Sequence, residues 1–190
     1  MRGNNTRTGA ATTGWTNFTT LQAVFDYARS QGRPLFFQPG LYDSGATTVL
    51  TTNGSGKPLQ VRAIPGSVTF RFTGTGTFLA ITGQSQVRFE GIVFYGDNRP
   101  LADFVPGRPA FIAVSGGAKD VSFEKCQVAY SPGIGVYVAS GADALIRDTF
   151  FSNHSIGIWS ENARISALAN SISEMKNNGI AVWQDTITGD

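Results

Sequence analysis

Ile134-Gly135-Val136-Tyr137, Ile156-Gly157-Ile158-Trp159 and Ile180-Ala181-Val182-Trp183 are three versions of one phrase, with their aromatic residues 22 and 24 positions apart. A second phrase keeps time with it. Val121-Ser122-Phe123-Glu124-Lys125-Cys126-Gln127-Val128 is answered by residues 144–151 and again by residues 165–172. Each copy reads apolar, any, apolar, any, any, small or polar, any, apolar. The alternation is of the β type, and turn residues separate the phrases. A unit this short cannot bury its own apolar face, so copies must stack to make a core. The pattern predicts coils of a parallel β-helix.

The rest of the chain agrees with that reading. Its 190 residues include 23 glycines, only 15% charged residues and 12% aromatic ones, a composition suited to all-β structure with many tight turns. The length is that of one domain able to bury a core without disulfides. Fifteen basic and 13 acidic residues leave a formal charge of +2 with no Lys/Arg run. Nucleic-acid binding needs clustered positive charge, and none is present. The lone cysteine, Cys126, occupies an inward position and reads as a small core residue. No run approaches a membrane span. No apolar signal segment follows Met1, which leaves either an intracellular protein or a mature exported domain.

Residues 1–16 read as a flexible lead-in and 17–190 as the β-helix domain. Thr19-Thr20-Leu21-Gln22 supplies a capping-box pattern, with a hydroxyl at the N-cap and Gln three residues later. Leu21, Val24, Phe25 and Ala28 then make an amphipathic stripe closed by Gly32, so a helix is expected over residues 19–31. Placed just before the first strand, it suits a lid over the open end of the solenoid. Coils are expected from residue 35 onward. Candidate strands follow at Leu35 to Phe37, Thr47 to Leu50, Leu59 to Ala63, Val68 to Phe72, Phe78 to Thr82 and Val87 to Phe94. Val87-Arg88-Phe89-Glu90 matches Val121-Ser122-Phe123-Glu124 at a spacing of 34, one coil plus an excess. That excess is assigned to residues 96–109, which contain Asp97, Arg99, Asp103 and Arg108. Insertions in a solenoid leave as loops and commonly carry function. Thr186-Ile187-Thr188 reads as the start of a further strand, so a longer protein, or an assembly that covers this end by self-association, is expected.

Leu21-Gln22-Ala23-Val24-Phe25-Asp26-Tyr27-Ala28, with Gly32, Arg33-Pro34-Leu35 and Pro39-Gly40-Leu41-Tyr42, resembles the N-terminal segment of pectate-lyase-like β-helix proteins. That group includes phage tailspike-type depolymerases and a family of uncharacterised exported repeat proteins bearing twin-arginine signals. Gly96-Asp97-Asn98-Arg99-Pro100-Leu101 and Asn177-Asn178-Gly179-Ile180-Ala181-Val182 look most like the last of these. The resemblance covers residues 17–187. It implies an all-β, right-handed, single-stranded parallel β-helix (a pectin-lyase-like solenoid) of roughly six coils with an N-terminal capping helix. It also implies an extracytoplasmic location and a polysaccharide partner. The Asp-Asp, Gly-His-Gly and Arg-x-Lys signatures of polygalacturonase-like hydrolases are absent, as is the Asp-Pro-His of epimerase-like repeats, so no catalytic residue carries over. The acids are scattered, which supplies no calcium cluster of the pectate-lyase kind but leaves a divalent ion open.

Outward positions can be read across coils. Glu90, Glu124 and Arg147 share a column with Asp148 beside it, so Arg147 and Glu124 should pair on neighbouring rungs about 4.8 Å apart. This is either a solvated surface pair or an acid/base cluster on a sugar-binding face. The charged loop is either a solvated insertion or lines a binding groove with Arg88. Tyr137, Trp159 and Trp183 are expected to form an outward aromatic column, a platform on which sugar rings could stack, or else to lie under a loop. His154 reads as a turn residue. Asn170 fills the inward slot matched by Cys126 and Thr149, where a side-chain ladder would satisfy backbone groups at a bend. Two functions stay open: a carbohydrate-binding or polysaccharide-active protein, and a non-catalytic scaffold or adhesin.

Overall fold

The computed structural model describes residues 6–7, 17–18, 20–51, 56–83, 85–97 and 109–184. A short antiparallel pair, β1 (Thr6–Arg7) and β2 (Asn17–Phe18), precedes helix α1 (Leu21–Gln31). Six coils of three strands follow. The first is β3 (Leu35–Phe36), β4 (Gly40–Asp43) and β5 (Val49–Leu50). The second is β6 (Leu59–Arg62), β7 (Val68–Phe72) and β8 (Leu79–Thr82). The third is β9 (Ser85–Glu90), β10 (Ile92–Gly96) and β11 (Ala110–Ser115). The fourth is β12 (Lys119–Glu124), β13 (Gln127–Ala129) and β14 (Ile134–Ala139). The fifth is β15 (Asp143–Arg147), β16 (Phe150–His154) and β17 (Ile156–Glu161). The sixth is β18 (Arg164–Leu168), β19 (Ser171–Met175) and β20 (Ile180–Trp183).

The first, second and third strands of every coil stack into three parallel six-stranded sheets, which we call the first, second and third sheet. This is the β-solenoid that the repeated phrases require. The extra length lies within the third coil, most of it between Gly96 and Ala110, and residues 98–108 lie outside the described ones.

Alternation along each strand sends every second side chain inward, and stacking turns those side chains into vertical files. One file on the first sheet runs Leu35, Val61, Phe89, Phe123, Ile146, Ala167. Phe89 and Phe123 lie nearly parallel, their ring centres 5.6 Å apart. A second file runs Phe70, Phe94, Val128, Phe151, Ile172. Phe94 packs edge-on against both Phe89 and Phe123 where the two files meet. In the sixth coil the inward residues have described neighbours on one side only, and Ile180, Val182 and Trp183 are exposed.

The corner from the first sheet to the second is a two-residue device. Lys125, Asp148 and Ala169 all adopt left-handed backbone, with φ of 52°, 51° and 52°. The next residue in each coil turns inward, giving the file Cys126, Thr149, Asn170. The Thr149 hydroxyl accepts from the Cys126 backbone N–H at 3.3 Å, and the Asn170 side-chain oxygen accepts from the Thr149 N–H at 3.0 Å. Asn170 Nδ2 donates to the Ile146 carbonyl at 2.9 Å. The inward polar slot expected from the sequence is therefore a ladder that satisfies backbone groups at the bend.

Helix α1 covers the first coil, with Leu21, Val24, Phe25 and Ala28 buried. Phe25 reaches far enough into the core to meet Phe70 and Phe89. The N-cap is Thr20, whose hydroxyl accepts from the Ala23 N–H at 3.2 Å. Thr19, the other half of the expected capping box, lies outside the described residues. Gln22 does different work from the reciprocal capping expected of it. Its amide donates to the Leu50 carbonyl and accepts from the Leu50 N–H, both at 2.6 Å. One side chain thus stands in for a missing neighbour strand at the exposed edge of β5. The buried Arg29 does the same for the Thr51 carbonyl at 3.2 Å.

Candidate functional site

The outward positions of the first sheet carry a continuous network of acids and arginines. Cα pairing places Phe36, Arg62, Glu90, Glu124, Arg147 and Leu168 in one vertical file. The neighbouring outward file begins with Gln60, Arg88 and Ser122. Side chains cross between the two. One Arg88 guanidinium nitrogen lies 3.3 Å from Glu90 Oε2 and 3.2 Å from Glu124 Oε1, so it bridges two rungs. Arg147 pairs with the other oxygen of Glu124. Arg62 Nε sits 3.6 Å from Glu90, and Arg62 also donates to Gln60. Asp148, 3.8 Å from Arg147 Nε, closes the network from its left-handed corner position.

The Arg147–Glu124 pairing expected from the column is present. Arg88, Glu124, Arg147 and Asp148 are thereby brought together. Glu124 is the centre, with only 6% of its side chain exposed, while Arg62, Arg88 and Arg147 keep 36%, 37% and 46%. A nearly buried carboxylate gripped by two guanidiniums fixes the direction of both, and each of the two side chains keeps more than a third of its surface exposed.

Of the four charged residues of the loop, only Asp97 lies among the described ones. Asp97 follows a strand of the second sheet, where its charge acts on Arg71, whereas Arg88 belongs to the first sheet. Arg99, Asp103 and Arg108 lie outside the described residues. Arg71 pairs instead with Asp43, its Nε 3.0 Å from the carboxylate. Burial pushes the Asp43 carboxyl up, but its bonds to Arg71 and the Gly45 N–H, with the Arg71 charge, outweigh that and hold it below its usual range.

The aromatic column is corrected by the register of the third sheet. Tyr137 pairs with Trp159, but Trp159 pairs with Ala181, and Trp183 lies opposite Glu161. The coil repeats every 22 residues here, and the residue that keeps step is glycine. Gly135, Gly157 and Gly179 superpose, so Asn178-Gly179-Ile180-Ala181 is the true third copy of the phrase. A Cβ on Gly135 would lie 2.6 Å from the Gly157 carbonyl oxygen, and one on Gly157 2.7 Å from that of Gly179. The signal that finds this register in the sequence is the even spacing of those glycines, which the aromatic phrase overrides.

Nor do Tyr137 and Trp159 form a flat platform. Their rings are 6.2 Å apart and cross at 85°. Both are half-buried against a small outer apolar cluster of Ala110, Ile134 and Ile156. The Tyr137 hydroxyl donates to Glu161. Burial first, then the Glu161 hydrogen bond and charge, push its ionisation up to about 12.

His154 is a strand residue and not the turn residue expected. It ends β16, fully buried, with Nε2 2.9 Å from the Val128 carbonyl and Nδ1 3.1 Å from that of Ser131. Burial lowers its basicity, opposed by those two carbonyls. Among the described residues no three His, Cys, Asp or Glu side chains gather to hold a metal ion, and no helix is long and apolar enough to cross a membrane.

The fold and this surface define a parallel β-solenoid repeat protein. No protein-family model matches the chain, and no curated protein does. Among solved structures it is similar to the crystal structure of a putative glycosyl hydrolase from Parabacteroides merdae ATCC 43184. The TM-score is 0.43 and the identity 13%, over 88% of each chain. Function has to be read from the residues of this chain.

Proposed function

We propose that this protein is an extracytoplasmic, polysaccharide-binding β-solenoid that holds its polymer along the outer face of the first sheet. The observation that carries the reading is the fixed row of half-exposed guanidiniums, Arg62, Arg88 and Arg147, pinned by Glu90 and Glu124. Planar side chains already locked by ion pairs lose little freedom on binding, and their remaining donors suit the hydroxyl and carboxylate oxygens of a sugar chain. The row sits on strands, which hold it more precisely than loops would. The test is affinity electrophoresis through gels containing soluble polysaccharides. The wild type should be retarded, and the double variant Arg88→Ala, Arg147→Ala should run freely while keeping its circular dichroism spectrum. A wild type retarded by none of a broad panel would overturn the reading.

A second reading, a scaffold that binds without cleaving, is favoured by the pairing of the acids. Glu90, Glu124 and Asp148 each have an arginine partner. Glycosidic cleavage asks instead for two carboxylates flanking the scissile bond. Release of reducing or unsaturated sugar ends by the purified protein would remove this second reading.

A further inference from the structure

We infer that the polymer held on the first sheet is uncharged, and that Phe36 stacks on one of its sugar rings. The inference rests on the polysaccharide-binding reading above and adds the class of ligand. Two observations carry it. The first is the charge balance of the network. Arg62, Arg88 and Arg147 face Glu90, Glu124 and Asp148, so three positive groups meet three negative ones within contact distance. Within this network no charge is left over to attract a polyanion, yet it is dense in fixed hydrogen-bond donors and acceptors, which is what paired hydroxyls of a neutral glycan require.

The second observation lies at the end of the same file. Phe36 is opposite Arg62, one rung beyond the network, and is 61% exposed, whereas its chain neighbour Leu35 is 4% exposed. An aromatic ring held outward on a strand is a surface on which the apolar face of a pyranose can lie. At the other end of the file Leu168 is likewise exposed. The six rungs span about 24 Å, long enough for several sugar units laid along the solenoid axis. The file thus presents an apolar contact at each end and hydrogen bonding between.

Affinity electrophoresis with two sets of polysaccharides tests this. A β-glucan, a xylan and a mannan are the neutral probes, and polygalacturonate and alginate the acidic ones. Each is run at low and at high sodium chloride. Retardation is expected with a neutral probe, unchanged by salt because no counterions are displaced. Phe36→Ala should weaken it about fivefold to tenfold, and Phe36→Trp should restore it. Phe36 is exposed, so neither change threatens folding. Retardation by acidic probes alone, lost in salt, would overturn the inference while leaving polysaccharide binding intact. Retardation by a neutral probe that Phe36→Ala leaves unchanged would remove the stacking role. Sedimentation showing a dimer of this chain that Phe36→Ala dissociates would assign the ring to self-association and also overturn it. No retardation by any probe would remove both this inference and the reading beneath it.

Discussion

The Cβ that Gly135 lacks would stand 2.6 Å from the carbonyl oxygen of Gly157, one rung away on the third sheet. On its other side the same Cβ would meet the His154 ring at 3.2 Å. The two coils can close to sheet spacing at this point only if the upper residue has no side chain. Gly135→Ala should therefore destabilise the protein by about 2–3 kcal/mol, as overpacking of a rigid interior does. Gly76, where an added Cβ meets nothing within 4 Å, is the control, and Gly76→Ala should change stability by less than about 0.5 kcal/mol. Urea unfolding followed by tryptophan fluorescence measures both.

Glu124 is the shared partner of Arg88 and Arg147. Removing it sets two guanidiniums beside each other with no charge between them. Both arginines keep substantial contact with water, which screens much of that repulsion. Glu124→Ala should accordingly cost about 1–2 kcal/mol, less than a fully enclosed ion pair would. A double-mutant cycle with Arg147→Ala should show the two changes to be non-additive. Additive losses would mean that the pair contributes nothing as a pair.

His154 gives stability a pH dependence of known sign. A neutral imidazole has one N–H, yet both ring nitrogens face carbonyl oxygens. Burial, outweighing those carbonyls, sets the folded-state pKa below the ordinary 6.5. The unfolded chain therefore takes up a proton that the folded one resists. Stability from this residue is full above about pH 7 and falls as the pH drops toward the folded-state value. His154→Gln should lower stability at neutral pH and flatten that slope, as read by thermal unfolding across a pH series. A variant with the wild-type slope would show that other groups set it.

Cys126 is buried, and burial, ahead of all other influences, pushes its thiol up to about 12. The thiolate is the reactive form, so alkylation by iodoacetamide should wait for global unfolding. Its rate should follow the denaturant dependence of unfolding, with no fast phase in the native protein. A fast phase in buffer would mean that the corner from the first sheet to the second opens locally.

The coils were legible because period-two alternation repeats, and the fate of Glu124 and Arg147 followed from that alternation alone. The register at Trp183 was not, because bulky aromatic residues are easier to match by eye than glycines, while the steric constraint between rungs acts on Gly135, Gly157 and Gly179. His154 was misread for a related reason. Its counterparts in a linear alignment are turn residues, but backbone pairing sets His154 opposite Met175, inside the solenoid. The ion pairs of Arg88 were not legible, because its partners Glu90 and Glu124 come from two coils, 34 residues apart in sequence. Gln22 matched a local capping pattern, and no local pattern could reveal that its true partner was the edge of Leu50.

The most direct measurement is the mapping of a bound oligosaccharide by backbone amide chemical shifts, using fragments of whichever polysaccharide retards the protein. The expected result is a continuous line of perturbed residues along the first sheet, from Phe36 through Arg62, Glu90 and Glu124 to Arg147. Perturbations gathered instead around Tyr137 and Trp159 on the third sheet would contradict the account.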